Sequence, residues 1–256
     1  MAPPSKENDP RVSIIGLIEY NSFMEKEINF NVRGDTLRGI EYIPEGEGLF
    51  PGVILLHGSG STGETDFDTA AEIAKNGIIG FAFNFRGCGI SDGNFEDQTI
   101  GGGLDDARHA IEVFSKEKKL DRNRTGISGG SFGAFIASTL APSYNFKSMV
   151  LRVPAAYSPN LLDYKHVDFK RELQQDHRKS ISYERIGQFK GSLLVIRAEL
   201  DEIIPKRMVD KYYNDAVEAN RRDMFLLEGA PHSISTKPEA KQVLIDKLVS
   251  WFKETL

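Results

Sequence analysis

The sequence contains a single cysteine, Cys88, among its 256 residues. One cysteine cannot form an internal disulfide, and it cannot supply a metal site built on paired cysteines. A chain without disulfides suits a reducing compartment. We therefore expect a cytoplasmic protein, and no motif in the sequence predicts a metal or another cofactor.

Long apolar runs and an excess of positive charge are also missing. The longest N-terminal apolar run, SIIGLI at 13–18, is too short to span a bilayer or to form a signal-peptide core. The formal net charge is −5, and acidic and basic residues are interleaved along the chain. These features predict that the protein binds neither nucleic acid nor membrane, and they favour a small neutral or cationic substrate.

Short β-type runs alternate with helical patterns, which is typical of an α/β protein with a mostly parallel sheet flanked by helices. Two runs, at 25–32 and 36–44, predict an antiparallel hairpin at the sheet edge. Further runs predict parallel strands at 52–57, about 78–85, 124–128, 148–153, 192–197 and 223–228. Helical patterns lie at about 66–76, 101–117, 132–142, 206–219 and 238–255. The prediction is a central sheet of about eight strands.

The length and the continuous pattern predict one domain at residues 25–256, preceded by a lead-in at 1–24 that begins with the stretch MAPPSKENDP, which we expect to be disordered. The interval 155–190 breaks the alternation, because it is polar with scattered aromatic residues. We expect a small cap insertion here, over the C-terminal edge of the sheet. An ordinary helical crossover with a long loop is the alternative interpretation.

The stretch RTGISGGSFGAFIAS (124–138) holds the pattern Gly-x-Ser-x-Gly twice, around Ser128 and around Ser131. A nucleophilic serine in this pattern lies on a sharp turn between a strand and a helix. For Ser128 the preceding strand would be the charged DRNRT, and the helix would begin with glycines. For Ser131 the strand is RTGIS, and apolar residues follow at helical spacings. The pattern favours Ser131, although a glycine-rich turn without chemistry fits the motif alone.

A serine nucleophile needs a general base, and the base needs a third group to orient it. Of the five histidines, only His232 follows a late strand at the edge where Ser131 lies. Glu199, Asp201 and Glu202 follow the preceding strand. Asp201 is favoured because the chain has room to turn back before it, although a carboxylate in a turn is its alternative role.

Five motifs occur in the order found in a known superfamily. They are LLHGSG (55–60), NFRGCGISDG (84–93), GGSFGA (129–134), RAELDEIIP (197–205) and EGAPHS (228–233). Together with the order serine, acid, histidine, they resemble the α/β-hydrolases. The resemblance covers the chain from about residue 25. It departs from the family pattern at Ala134 and at Ala198, where many members have glycine.

The resemblance implies a catalytic triad of Ser131 as nucleophile, His232 as base and Asp201 as the group that fixes the tautomer of the base. It implies an oxyanion hole made by the backbone N–H groups of Ser59 and Phe132. His57 would then support its loop. Arg86 and Cys88 are interpreted as scaffolding of the NFRGCGISDG loop, and Tyr157 either lines the pocket or packs against the insertion.

An activated serine with an oxyanion hole performs acyl transfer, so we expect hydrolysis of a small-molecule carboxylic ester. The compact core is most similar to small esterases of the dienelactone hydrolase-like and feruloyl-esterase-like branches. A peptidase of the prolyl-oligopeptidase or proline-iminopeptidase type is one alternative, although 256 residues leave no room for a propeller. A non-catalytic small-molecule receptor is another. The oligomeric state stays open.

Overall fold

The computed structural model describes residues 22–168 and 177–256. The strands are β1 (Phe23–Val32), β2 (Asp35–Pro44), β3 (Phe50–Leu56), β4 (Ile79–Phe83), β5 (Leu120–Gly130), β6 (Ser148–Arg152), β7 (Ser192–Leu200) and β8 (Arg221–Pro231). The helices are α1 (Glu64–Lys75), α2 (Ile100–Phe114), α3 (Phe132–Leu140), α4 (Ile181–Ile186), α5 (Lys206–Asp215) and α6 (Pro238–Thr255). Almost all of the predicted lead-in lies outside the described residues. No helix in the described part is long and apolar enough to cross a membrane.

All eight strands belong to one sheet, in the order β1-β2-β4-β3-β5-β6-β7-β8. β1 and β2 form an antiparallel hairpin, and β2 pairs antiparallel with β4. The other neighbours pair in parallel. The predicted α/β class with a mostly parallel sheet is therefore confirmed. The C-terminal ends of the parallel strands meet at one edge, where a ligand site is expected.

Helices cover both faces of the sheet, which explains the continuous apolar runs of the central strands. Successive residues of β3 show the arrangement. Val53 and Leu55 pack with residues of α1 and α6 on one face. Ile54 and Leu56 pack with residues of α2, α3 and α5 on the other face. Because side chains alternate along a strand, a run without polar residues fills both cores.

β5 begins at Leu120, four residues before the predicted strand. The sequence pattern predicts the strand at 124–128 and so leaves residues 121–123 before it. The pairing with β3 is irregular at this point, since Phe50 pairs with Leu120 while Gly52 pairs with Thr125. Residues 121–124 therefore lie in a bulge, and an Arg124–Asp121 ion pair of 2.8 Å forms there. The run of charged residues therefore marks a bulge within β5, and it does not mark the beginning of the strand.

The described part of the interval 155–190 combines the two interpretations. Residues 159–168 run past the start of α2, where the N–H of Gly101 donates to the carbonyl oxygen of Leu162 at 2.7 Å. This segment covers the C-terminal edge of the sheet near the start of α3, since His166 packs on Phe132. The short helix α4 packs against α3 and α5 and connects to β7. The cap and the crossover helix are thus consecutive parts of one connection.

Two glycines allow α3 to lie directly against β3 and β5. A Cβ atom built on Gly133 would lie 2.1 Å from the carbonyl oxygen of Leu56, and one on Gly129 would lie 2.2 Å from the carbonyl oxygen of Gly133. Both contacts are with backbone atoms, which cannot turn away as a side chain can. The sequence spacing Gly-x-Ser-x-Gly is therefore a packing requirement between a helix and its two strands.

We expect the substitution Gly133→Ala to lower the free energy of unfolding by about 1–3 kcal/mol, because α3 must move away from β3. Gly102→Ala is the matched control, since a Cβ there meets only the hydroxyl of Thr99, 3.0 Å away. The control should change stability by less than about 1 kcal/mol. Urea unfolding followed by circular dichroism measures both variants. Equal unfolding midpoints for the two would contradict the packing requirement.

Candidate active site

Ser131 lies at the turn between β5 and α3 with an unusual backbone conformation. Its φ of 49° and ψ of −107° fall in a region that residues other than glycine rarely adopt. The N–H of Ser131 donates to the carbonyl oxygen of Arg152 at 2.9 Å, which fixes the turn against β6. Ser128 is fully buried inside β5, and its hydroxyl has no hydrogen-bond partner among the described residues. Of the two serines, Ser131 therefore lies at the strand-to-helix turn and Ser128 lies inside the strand.

Three predicted side chains form one hydrogen-bonded chain. The Oγ of Ser131 lies 3.2 Å from Nε2 of His232. The Nδ1 of His232 lies 2.9 Å from Oδ2 and 3.1 Å from Oδ1 of Asp201. An ionised carboxylate only accepts hydrogen bonds, so the imidazole proton lies on Nδ1 and the serine hydroxyl donates to Nε2. The arrangement has the connectivity that activates a serine hydroxyl.

The Asp201 carboxylate is held by its own loop as well as by His232. Its Oδ1 accepts hydrogen bonds from the backbone N–H groups of Ile203 and Ile204, both at 2.8 Å. Burial raises the pKa of this carboxyl, but the bonds from His232 and from the two backbone groups outweigh burial and hold the pKa below its usual 3.8. Asp201 is therefore ionised at neutral pH.

The two other candidate acids lie elsewhere. The carboxylate of Glu199 accepts a hydrogen bond from the N–H of Gly229 at 2.7 Å. This bond holds the beginning of the EGAPHS stretch (228–233), which contains His232. Glu202 is exposed to solvent. Neither carboxylate reaches the imidazole of His232 within the described residues.

The loop after β3 lies beside the serine. A Cβ atom built on Gly58 would lie 3.7 Å from Cβ of Ser131. The backbone N–H groups of Ser59 and Phe132 donate to no partner anywhere in the described ranges. Free donors at these two positions are what the oxyanion hole implied by the resemblance requires.

His57 is buried and braces the loop after β3 from below. Its Nε2 accepts from the N–H of Phe85 at 3.0 Å, so its Nδ1 carries the proton and donates to the carbonyl oxygen of Gly58 at 2.7 Å. Burial lowers the pKa of His57, which keeps the ring neutral. Arg86 similarly braces the next loop, through an ion pair of 2.8 Å with Asp106.

A cavity of about 460 Å³ opens beside Ser131 and His232. Its lining includes small polar residues, three isoleucines and the aromatic rings of Tyr157 and His166. At its base Arg152 forms a buried ion pair with Asp66. The volume suits a small organic ligand.

The sequence left the role of Tyr157 open and did not single out His166 as a site residue. Tyr157 is buried and lines the cavity, and its ring packs edge-on against the rings of Phe132 and Phe135. His166 also lines the cavity, and its Nδ1 lies 3.0 Å from Oγ of Ser59. The only available signal was their position after β6, in the interval expected to cover the edge.

Known proteins are similar to this chain in sequence or in fold. An uncharacterized protein of Mycobacterium tuberculosis is 27% identical over 210 residues, which cover 81% of this chain and 72% of that protein. Esterase EstD of Thermotoga maritima is 30% identical over 152 residues, 54% of this chain and 34% of the esterase. The structure of Est1E from Butyrivibrio proteoclasticus, determined with ferulic acid bound, aligns with a TM-score of 0.73 and 16% identity over 89% of this chain and 98% of Est1E.

The structural likeness to Est1E gives the α/β-hydrolase fold, in agreement with the eight-stranded sheet. A sequence profile for the prolyl oligopeptidase family matches residues 65–256, from the start of α1 to the end of the chain. This stretch includes the turn with Ser131 (129–134), the loop with Asp201 (197–205) and the loop with His232 (228–233). The chain is therefore an α/β hydrolase that belongs to the prolyl oligopeptidase family.

Proposed function

We propose that this protein is a serine carboxylesterase acting on small-molecule esters, with Ser131, His232 and Asp201 as its catalytic triad. The observation that carries the proposal is the hydrogen-bonded chain from hydroxyl to imidazole to carboxylate at the mouth of a cavity. Ser59 and Phe132 supply the N–H groups of the oxyanion hole.

The reaction follows from the positions of these groups. His232 Nε2 takes the proton of Ser131 as its oxygen attacks the ester carbonyl carbon, and the carbonyl oxygen becomes an oxyanion that the two N–H groups bind. Collapse of this intermediate forms the acyl-serine, and His232 returns the proton to the leaving alcohol. Water, activated by the same imidazole, then releases the acid. Asp201 stabilises the imidazolium in both steps.

The charges in the cavity support an ester in preference to a peptide with a free amino terminus. A carboxylate that is not already neutralised is the strongest partner that a side chain offers to an ammonium group. Asp66 is the one carboxylate in the described lining, and it is paired with Arg152. The relative from Thermotoga maritima, an esterase, supports the same choice. The name of the family supports the alternative, a serine peptidase.

A fluorophosphonate probe should label Ser131, and Ser131→Ala should abolish both labelling and ester hydrolysis. Ser128→Ala is the matched control, and it should keep activity within about twofold because its buried hydroxyl bonds to nothing in the described chain. Mass spectrometry of the labelled peptide and p-nitrophenyl acetate hydrolysis measure this. Loss of labelling in Ser128→Ala, but not in Ser131→Ala, would contradict the assignment. No labelling of the wild type would favour a non-catalytic receptor.

The choice between ester and peptide has its own test. We expect kcat/KM for p-nitrophenyl esters of short acids to exceed that for the matching amino-acid p-nitroanilides by at least about 100-fold. The reason is that the described lining has no unpaired carboxylate to bind the ammonium group of the anilides. N-acetylated anilides serve as the control for amide chemistry without that charge. Faster turnover of the free amino-acid anilides than of the esters would establish the peptidase alternative.

Asp201→Asn should lower kcat by about 10³- to 10⁴-fold, because the amide no longer fixes the imidazole tautomer and no longer stabilises the imidazolium. Glu202→Gln removes a carboxylate from the next residue, which is exposed, and should leave kcat unchanged. Steady-state kinetics on p-nitrophenyl acetate compares the two variants. A similar kcat in both would mean that Asp201 has only a structural role in its turn.

A further inference from the structure

One imidazole contacts both residues that provide the proposed oxyanion donors. The Nδ1 of His166 lies 3.0 Å from Oγ of Ser59. The ring of His166 also packs edge-on against the ring of Phe132, with centroids 4.4 Å apart and an interplanar angle of 85°. Ser59 belongs to the loop after β3 and Phe132 to the first turn of α3. His166, from the segment at 159–168, is thus a common contact of two otherwise separate elements.

Ser59 is held through its side chain as well as through its backbone. It is exposed and lies between Gly58 and Gly60, and Gly60 has a φ of +67°. Glycine neighbours allow many backbone conformations, and on the backbone side the Gly58 carbonyl oxygen, in the same planar peptide unit as the Ser59 N–H, is held by Nδ1 of His57 at 2.7 Å. In the described part of the chain, the hydrogen bond to His166 is the only one that the Ser59 side chain makes. This bond is therefore a second restraint on Ser59, made through its side chain.

His166 is itself rigidly placed. Its backbone N–H donates to the carbonyl oxygen of Gln98 at 3.0 Å. Its ring also stacks on the ring of Phe95, with centroids 5.8 Å apart. Burial lowers the pKa of His166 to about 4, so the ring is neutral at neutral pH. Its Nε2 is buried without a hydrogen-bond partner in the described residues, which leaves Ser59 as the group that its ring nitrogens bind there.

We propose that His166 is a positioning residue of the oxyanion hole, which fixes the Ser59 N–H through the Oγ–Nδ1 hydrogen bond while its ring packs against Phe132. The proposal rests on the proposed function, because the hole has a role only if Ser131 attacks a carbonyl. His166 does not take part in proton transfer. Its contribution is to keep two donors aimed at the place where charge develops.

Such a role affects the transition state and not the binding of substrate. A misplaced oxyanion donor loses contact with the charge of the tetrahedral intermediate, whereas the neutral ester barely needs that donor. We expect His166→Phe, which keeps the aromatic packing and removes the hydrogen bond, to lower kcat by about 10- to 100-fold. KM should stay within about threefold. His166→Asn, which keeps a polar atom near the Nδ1 position, should recover most of kcat.

A double-mutant cycle tests the route through Ser59. Ser59→Ala keeps the backbone N–H and removes the side-chain restraint, so it should lower kcat as much as His166→Phe does. The double variant should lose at most about a further twofold, since both changes break the same bond. Titration of Ser131 with a fluorophosphonate normalises every rate to the folded, reactive fraction. Lys165→Met is the control, because it breaks only the exposed Lys165–Asp97 ion pair beside His166 and should leave both kinetic constants unchanged.

The outcomes separate the two proposals. If the wild type neither reacts with the probe nor hydrolyses esters, the proposed function fails. If the wild type is active and His166→Phe keeps its kcat, or raises KM with kcat unchanged, the positioning role is wrong. Multiplicative losses in the double variant would also overturn it, because His166 would then act independently of Ser59.

Discussion

The backbone of Ser131 is the constraint on which the site depends. Its positive φ turns the hydroxyl out of the sheet, at a cost of about 1–3 kcal/mol. Hydrogen bonds on both sides of the residue hold it there. Its N–H donates to Arg152, and its carbonyl oxygen accepts from Ala155 at 3.2 Å as well as from the first turn of α3. The strained conformation is therefore maintained by hydrogen bonds to Ser131 from three elements, which are β6, the connection that follows it, and α3.

A buried ion pair extends this arrangement to the opposite face of the sheet. The guanidinium of Arg152 lies beside Gly130, where a side chain would come within 3.2 Å of it, and pairs with Asp66 of α1. Removing one member of such a pair leaves an uncompensated buried charge, which costs about 3–5 kcal/mol. The end of β6 that receives the Ser131 N–H is thus anchored to α1. The serine turn is coupled to both helical layers.

The sequence predicted those parts of the site whose position follows from the order of strands and from glycine spacing. Ser131 was separable from Ser128 because only one frame places a strand before the turn and a helix after it, and Asp201 and His232 follow strands that end at the same edge. His166 could not be found in this way. It reaches Ser59 across 107 positions from a segment with no periodic pattern, so only the folded connection brings the two together. The beginning of β5 was missed because its bulged residues are charged, as loop residues commonly are, so the sequence gives no sign that they belong to the sheet.

The charged groups around the cavity indicate which kind of substrate it could accept. Arg152 is neutralised by Asp66 at the base, and the imidazole of His232 faces the carboxylate of Asp201 behind it. Burial keeps His166 neutral on the cap side. A charged substrate group entering this space would lose its hydration without meeting an unpaired opposite charge on the described lining. In the proposed mechanism, negative charge forms only during the reaction, on an oxygen facing the Ser59 and Phe132 amides, and a neutral ester would supply that charge only in the transition state.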